Sequence, residues 1–354
     1  MKVLIVKTSS LGDIIHAFPL LTYIRCQHPQ AQIDWVVEAP FAELVQAHPL
    51  VNQTLCVQTR KWRKQITTKK TWQELRQFKE LLRAKTYDVL LDLQGNAKSG
   101  FITACANSIL KVGFGYKSVS EWPNLLFTNQ RYNPPKGQNI RNDYLFLAQK
   151  VFGNFNYQEE GVQLSINAEE SLKIDGLLAH DYLQKGKKIL VCSGSNWNNK
   201  QLSPYALQAF LKRLSQTLES SFVFAWGSLE EKKIAEELAQ SFPKQAIVLE
   251  KLGLSSLQNL MSRLDLVIAM DSLPLHLAGT TTTPTYSVFG ASLAQKYKPI
   301  GMRHEAFQGA CPYGKSFEKR CSILRTCPTG SCIKDIQTET LHKHFLDWWQ
   351  QTNN

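Results

Sequence analysis

The sequence predicts an α/β protein made of two doubly wound, Rossmann-like domains facing a cleft. Three observations carry that prediction. The chain is 354 residues long, more than the roughly 250–300 residues that a single hydrophobic core fills. Short apolar, β-branched runs alternate with helix-length segments, as in parallel sheets covered on both faces. The alternation also occurs twice, on either side of a mixed stretch from Asn154 to Lys188 that reads as a linker. With 43% hydrophobic and 20% charged residues, disordered, collagen-like and disulfide-scaffold classes are excluded.

The first half opens with the buried-strand pattern Val3–Val6, the polar loop Thr8–Asp13 and a helical stretch from Ile14 to about Arg25, with Pro19 as a candidate kink. Further strands are expected at Ile33–Val37, Thr54–Val57 and Asp88–Leu93, the last preceded by a charged helix over Trp72–Arg83. The second half has strand patterns at Lys188–Cys192, Phe222–Trp226, Ala246–Leu249, Leu266–Met270 and Thr285–Phe289. Helices are expected between them, at Pro204–Thr217 and Ser256–Arg263 among others, and a last one at Glu339–Gln351.

Charge is unevenly shared. Lys and Arg outnumber Asp and Glu by 41 to 29, and residues 1–150 hold 20 of the basic residues against 10 acidic ones. A basic half suits an anionic partner: nucleic acid, a phosphorylated substrate or an acidic membrane surface; the plainer reading is a solubilising surface. No apolar run reaches the 18–20 or so residues that span a bilayer. The start lacks the order of a signal peptide, so the expected location is cytoplasmic.

In open parallel sheets ligands bind beyond the carboxyl ends of the strands, so the loops there are the candidates. Ser9, Ser10 and Gly12 allow a tight turn with exposed amides at a helix start, a place for an anion. Asp13 fits two roles there, a helix cap or a general base. No G-x-G-x-x-G is present, so the usual dinucleotide fingerprint is missing. Arg60-Lys61-Trp62-Arg63-Lys64, continued by Lys69 and Lys70, puts six cations in eleven residues without an acid. Such a segment suits phosphate or carboxylate groups, with Trp62 as an amphipathic ring; otherwise it is a solvated loop. In the second half Ser193-Gly194-Ser195-Asn196 leads to Lys200, a cation placed for a diphosphate. Trp226-Gly227 ends a strand, where the ring borders a base or fills core. Asp271 and Ser272 open a helix whose start suits hydroxyl and phosphate groups, with His276 about one turn on.

Taken in order, Lys7–His16, Arg60–Lys64, Asp92-Leu-Gln-Gly95, Lys200, Trp226-Gly227 and Asp271-Ser-x-x-x-His276 resemble the ADP-heptose:lipopolysaccharide heptosyltransferases of glycosyltransferase family 9. The opening and the Arg60–Lys64 segment look closest to heptosyltransferase I. The resemblance implies a GT-B fold with an acceptor-binding domain over residues 1–160, an ADP-sugar domain over 161–337 and a helix at 338–354 that crosses back to the first domain. It implies an inverting transfer of heptose from ADP-heptose to a Kdo residue of lipid A-linked inner core, with no cofactor required. Asp13 is then the catalytic base, and Lys200 neutralises the departing diphosphate. Ser195, Asn196, Trp226, Gly227, Asp271, Ser272 and His276 complete the donor site; Ser10, Gly12, Arg60, Lys61, Arg63 and Lys64 hold the acceptor. The expected partners are the ADP-sugar, Kdo-lipid A and the inner leaflet of the cytoplasmic membrane, with no nucleic acid. Leu273 and Ser120 depart from the family pattern, in which a small residue and an arginine stand at those places.

Other readings remain at this point: heptosyltransferase II or another family 9 transferase, a nucleotide-sugar or anionic-lipid binder without turnover, and a nucleic-acid binder. Cys26, Cys56, Cys105 and Cys192 read as small core residues in a reducing compartment. Cys311, Cys321, Cys327 and Cys332 cluster before the last helix, but without the C-x2-C knuckles of strong zinc signals, so a structural zinc ion there is the lesser expectation and no catalytic metal is implied.

Overall fold

The computed structural model describes residues 1–157 and 161–353. Its contacts divide into two compact units, Met1–Glu160 and Gly161–Asn354. The expected domain boundary falls in residues 158–160, outside the described residues, as does the terminal Asn354.

In the first unit β1 (Lys2–Val6), β2 (Gln32–Glu38), β3 (Gln53–Val57), β4 (Tyr87–Asp92), β5 (Ser108–Phe114) and β6 (Gln130–Tyr132) form one parallel sheet. Its order is β3-β2-β1-β4-β5-β6. Val3 to Val6 are fully buried because β1 lies mid-sheet with both faces covered, hence its unbroken apolar run. In the second unit β7 (Lys187–Cys192), β8 (Ser220–Ala225), β9 (Ala246–Val248), β10 (Leu266–Met270), β11 (Thr285–Phe289) and β12 (His304–Gln308) repeat the plan in the order β12-β11-β10-β7-β8-β9. Each sheet therefore reverses its strand order once, between β1 and β4 and between β7 and β10. At such a switch point the loops leave in opposite directions and open a crevice beyond the strand ends.

The helices that position the sites are α1 (Leu11–His16), α2 (Phe18–Gln27), α3 (Thr59–Lys64), α4 (Lys69–Arg83), α5 (Ala97–Cys105) and α6 (Ile140–Phe152) in the first unit. In the second they are α7 (Pro204–Thr217), α8 (Leu229–Gln240), α9 (Leu273–Ala278) and α10 (Thr338–Asn353). The helix expected from Ile14 to Arg25 is two helices broken at Ala17. Pro19 lies in the first turn of α2, where its missing N–H has no partner to lose, so the break comes before it rather than at it.

Leu341, Phe345, Trp348 and Trp349 of the final helix, expected to cross back to the first domain, are buried in the core of the second unit. Phe345 packs edge-on against Phe210 of α7 with centroids 6.0 Å apart, and the Tyr286 hydroxyl donates to the Leu341 carbonyl at 3.1 Å. Each large apolar side chain so buried contributes about 1.5–3 kcal/mol, enough to hold the helix on its own unit. The supposed linker from Asn154 to Lys188 carries a capped helix over Ala168–Leu178 and the start of β7; its residues 158–160 lie outside the described residues. Of the four cysteines expected in the core only Cys192 is buried, while Cys26 and Cys56 are exposed and Cys105 is half-buried.

Candidate functional site

At the first switch point β1 ends in Val6 and the chain turns through Lys7–Ser10 into α1. Ser10 stands at the N-cap. The Ser10 amide donates to Asp13 Oδ2 at 3.2 Å and its hydroxyl to the same oxygen at 2.9 Å. Asp13 Oδ1 accepts no hydrogen bond among the described residues. Capping and proton acceptance therefore need not compete, because the two oxygens separate the two tasks. Asp13 and Gly12 are half-buried and Ser10 is exposed.

The neighbouring loop after β4 holds this turn in place. Gln94 Oε1 accepts from the amides of Thr8 and Ser9, both at 3.2 Å. Asp92, fully buried, accepts from the amides of Gln94 and Gly95 at 3.0 Å and from Asn124 Nδ2 at 2.6 Å. Gly95 has φ +67, which suits glycine and lets both amides face Asp92. Burial pushes the Asp92 carboxyl above its ordinary range, against the opposing hydrogen bonds of Gly95, Asn124, Ser99 and Gln94. The Lys7 ammonium lies over the Tyr144 ring, 5.1 Å from its centre. Burial pulls Lys7 down, while Asp13 and Asp92 favour its charged form, so one buried cation answers both carboxylates. Gln94 and Lys7 stood within the motifs read above without a role; their positions beside a post-strand turn were the available signal.

The basic segment lies elsewhere on this sheet. It forms α3, after the edge strand β3 and two strands from β1, a lateral step of about 10 Å. Arg60, Arg63 and Lys64 are exposed. Lys61 pairs with Glu74 Oε1 of α4 at 2.7 Å, an acid one helix beyond the acid-free segment. One reading is corrected here. Trp62 is core: it is buried beside Phe78 and Leu82, and its indole N–H donates to Glu74 Oε2 at 2.8 Å. Lys61 and the Trp62 indole N–H hold the Glu74 carboxyl below its usual range.

At the second switch point the loops after β7 and β10 meet. Lys200 Nζ lies 2.5 Å from Asp271 Oδ2, with side chains 17% and 5% exposed. His276 Nε2 of α9 is 3.8 Å from Asp271 Oδ1. The Ser195 hydroxyl donates to the Asp271 carbonyl at 3.3 Å and that of Ser272, the N-cap of α9, to the Met270 carbonyl at 3.3 Å. Five of the eight residues expected in the donor site, spread over 82 positions of sequence from Ser195 to His276, thus gather at the end of β10, where Lys200 and His276 face the Asp271 carboxylate. Asn196 is exposed on the same loop.

Trp226 and Gly227 follow β8, next to β7. The Trp226 indole N–H donates to the Leu249 carbonyl at 2.7 Å and the Lys232 ammonium covers its ring at 5.4 Å, so the ring is half-buried and fixed. The Gly227 amide donates to Glu231 Oε2 at 2.6 Å. The same carboxylate fills the space beside Gly194, where a Cβ would come within 2.1 Å of it. Glu231 thereby ties the loop after β8 to the loop after β7, a role the reading of the sequence missed although Ser228-x-x-Glu231 is a legible capping box.

The cysteine-rich segment supports this loop from the other side. Asn199 Nδ2 donates to the carbonyls of Leu324 and Cys327, both at 2.9 Å, and the Arg325 guanidinium stacks over Trp197 at 4.5 Å. Cys311, Cys321, Cys327 and Cys332 are free thiols around a cavity of about 20 Å³. Amide donors from Gly330 and Thr329 lower the Cys327 thiol, whereas burial raises Cys332. Among the described residues no group of three or more His, Cys, Asp or Glu is placed to hold a metal ion.

Comparison with known proteins places these features in context. The model of the family described as Glycosyltransferase family 9 (heptosyltransferase) matches residues 75–326. Lipopolysaccharide heptosyltransferase 1 of Pseudomonas aeruginosa is 31% identical over 343 residues, which cover 96% of this chain and 88% of that protein. The structure of Escherichia coli heptosyltransferase WaaC with ADP matches with a TM-score of 0.76 at 24% identity, over 98% of this chain and all of that one. The structure of WaaC with ADP-2-deoxy-2-fluoro heptose matches with a TM-score of 0.71 at 26% identity, over 88% and 94%.

Proposed function

The chain belongs to glycosyltransferase family 9, and from that premise we propose that it moves heptose from ADP-heptose to a Kdo residue of the lipid A-linked lipopolysaccharide inner core, inverting the anomeric centre. The observation that carries the reading is the content of the two switch points: at the first a carboxylate with one oxygen unbonded among the described residues, at the second a lysine held by a buried aspartate. Asp13 takes the proton of the acceptor hydroxyl as its oxygen bonds to the anomeric carbon. The bond from that carbon to the diphosphate breaks, and Lys200 turns from Asp271 to the charge that develops on the departing ADP. Ser195, Asn196, Trp226, Gly227, Ser272 and His276 border the donor. Ser10 and Gly12 present the turn that faces the acceptor hydroxyl, and Arg60, Arg63 and Lys64 draw the Kdo carboxylate and lipid phosphates. Lys61 does the same less directly, because Glu74 shares its charge.

The reading places the enzyme in the cytoplasm, peripheral on the inner face of the inner membrane. Among the described residues no helix is long and apolar enough to cross a membrane, and clustered cations near an anionic leaflet each gain about 1 kcal/mol. The test is mass spectrometry of Kdo-lipid A incubated with ADP-heptose and either the protein or its Asp13→Ala variant. One added heptose with the first and none with the second is expected. No addition by the unaltered protein, with ADP protecting it against unfolding, would move the reading to another sugar or acceptor.

A further inference from the structure

Helices α3, α4 and α5 enclose a groove of about 640 Å³ on the first unit, lined by residues from Thr59 to Cys105. That is within the range of roughly 300–1,000 Å³ typical of sites for small organic ligands. Its floor is apolar: Trp62, Leu75, Phe78 and Ile102. Its lips carry large apolar side chains open to solvent, with Ile66 45%, Trp72 60% and Phe101 62% exposed. Arg63, Arg76, Lys79 and Lys98 also line it, and no acid does. Arg76 is engaged by Glu80, whereas Arg63, Lys79 and Lys98 join no ion pair among the described residues.

An apolar slot edged by cations alone is complementary to one chemistry, hydrocarbon beneath an anionic headgroup. A soluble nucleotide or sugar would leave the floor unmatched; a neutral apolar ligand would leave the cations unmatched. We propose that this groove is the surface by which the protein docks on an anionic phospholipid leaflet, an acyl chain entering the slot while Arg63, Lys79 and Lys98 meet the phosphates. Trp72 and Phe101 sit at the depth of the interface, the position aromatic rings favour. Arg63 belongs both to the groove and to the segment proposed for the acceptor, so the docked lipid surface and the incoming acceptor share an edge. This inference deepens the membrane part of the proposed function and rests on that reading.

The test is sedimentation of the full chain with vesicles of phosphatidylcholine alone or mixed with phosphatidylglycerol, without donor or acceptor. Binding to the anionic vesicles is expected, and Phe101→Glu should weaken it by about tenfold or more. Lys79→Ala and Lys98→Ala should each weaken it about fivefold. Phospholipid brominated along its acyl chains should quench the tryptophan fluorescence of the bound protein, and less so in Trp72→Phe. All these side chains are exposed; melting curves check that the variants fold. No binding to anionic vesicles, or unaltered binding by Phe101→Glu with no bromine quenching, would overturn the proposal. Because no sugar transfer is measured, its failure is separable from failure of the transferase reading, which the mass spectrometry decides.

Discussion

The two switch points occupy the same place in the same topology, yet they treat their aspartates in opposite ways. Asp13 is half-buried, and one of its oxygens accepts no hydrogen bond among the described residues. Asp271 is 5% exposed and is held by Lys200 at 2.5 Å with His276 beside it. A carboxylate that must take a proton has to keep an oxygen open. A carboxylate that must hold a cation in readiness works best where little water competes with the pair. The fold supplies the crevice twice, and local surroundings decide how each aspartate is held.

The first way to break the comparison is to remove the open carboxylate. Asp13→Ala should lower the transfer rate by about 10²–10⁴-fold, the scale of a lost general base, while ADP affinity changes little. A variant that keeps most of its turnover would make Asp13 a cap alone. The second is to strand the buried one. Lys200→Ala should destabilise the second unit by about 3–5 kcal/mol, because it takes the close cation from the buried Asp271, and should weaken ADP binding. Adding Asp271→Asn should restore the melting temperature without restoring ADP affinity. Full recovery of both would show that Lys200 serves the fold only.

A third measurement sharpens the contrast from outside the sites. His48 of the first unit is buried with its ring 4.7 Å from that of Phe18, and burial pushes its imidazole from 6.5 down to about 3. The folded unit therefore favours the neutral ring. That stability is complete above the ordinary value of 6.5 and is lost as pH falls from there towards 3, by at most about 1.4 kcal/mol per pH unit. Acid unfolding curves should show this slope, and His48→Gln should flatten it. The smallest effect is expected at α3. Arg60→Ala with Arg63→Ala should raise the KM for the acceptor by about 1 kcal/mol per charge and leave the donor untouched; equal loss for both substrates would make the segment structural.

Much of this could be read from residues alone. Short apolar runs marked the central strands, because a strand buried on both faces must be apolar throughout. The missed strands are the ones that need not be. β6 spans three residues at an edge, β12 reads His-Glu-Ala-Phe-Gln at the opposite edge of its sheet, and the first half of β5 is half-exposed. Post-strand position also singled out Asp13, Lys200, Asp271 and His276. The roles of Trp62 and Glu231 were not legible. A tryptophan flanked by four cations looks like a binding ring until the helix carrying Phe78 and Glu74 packs against it. A glutamate three residues after a serine looks like a cap until its carboxylate is found beside Gly194 as well.

The sequence by itself determined the alternation of strand and helix, which faces are apolar, the basic character of the first half and the chemical types at each loop, for these follow from local composition and period. Tertiary structure decided the strand order, and with it which loops share a switch point. It also decided that Lys61 is paired, that the last helix stays on the second unit and that three helices leave a cation-edged groove open. Each of these depends on which distant surfaces come together, and burial energy has no term in sequence separation.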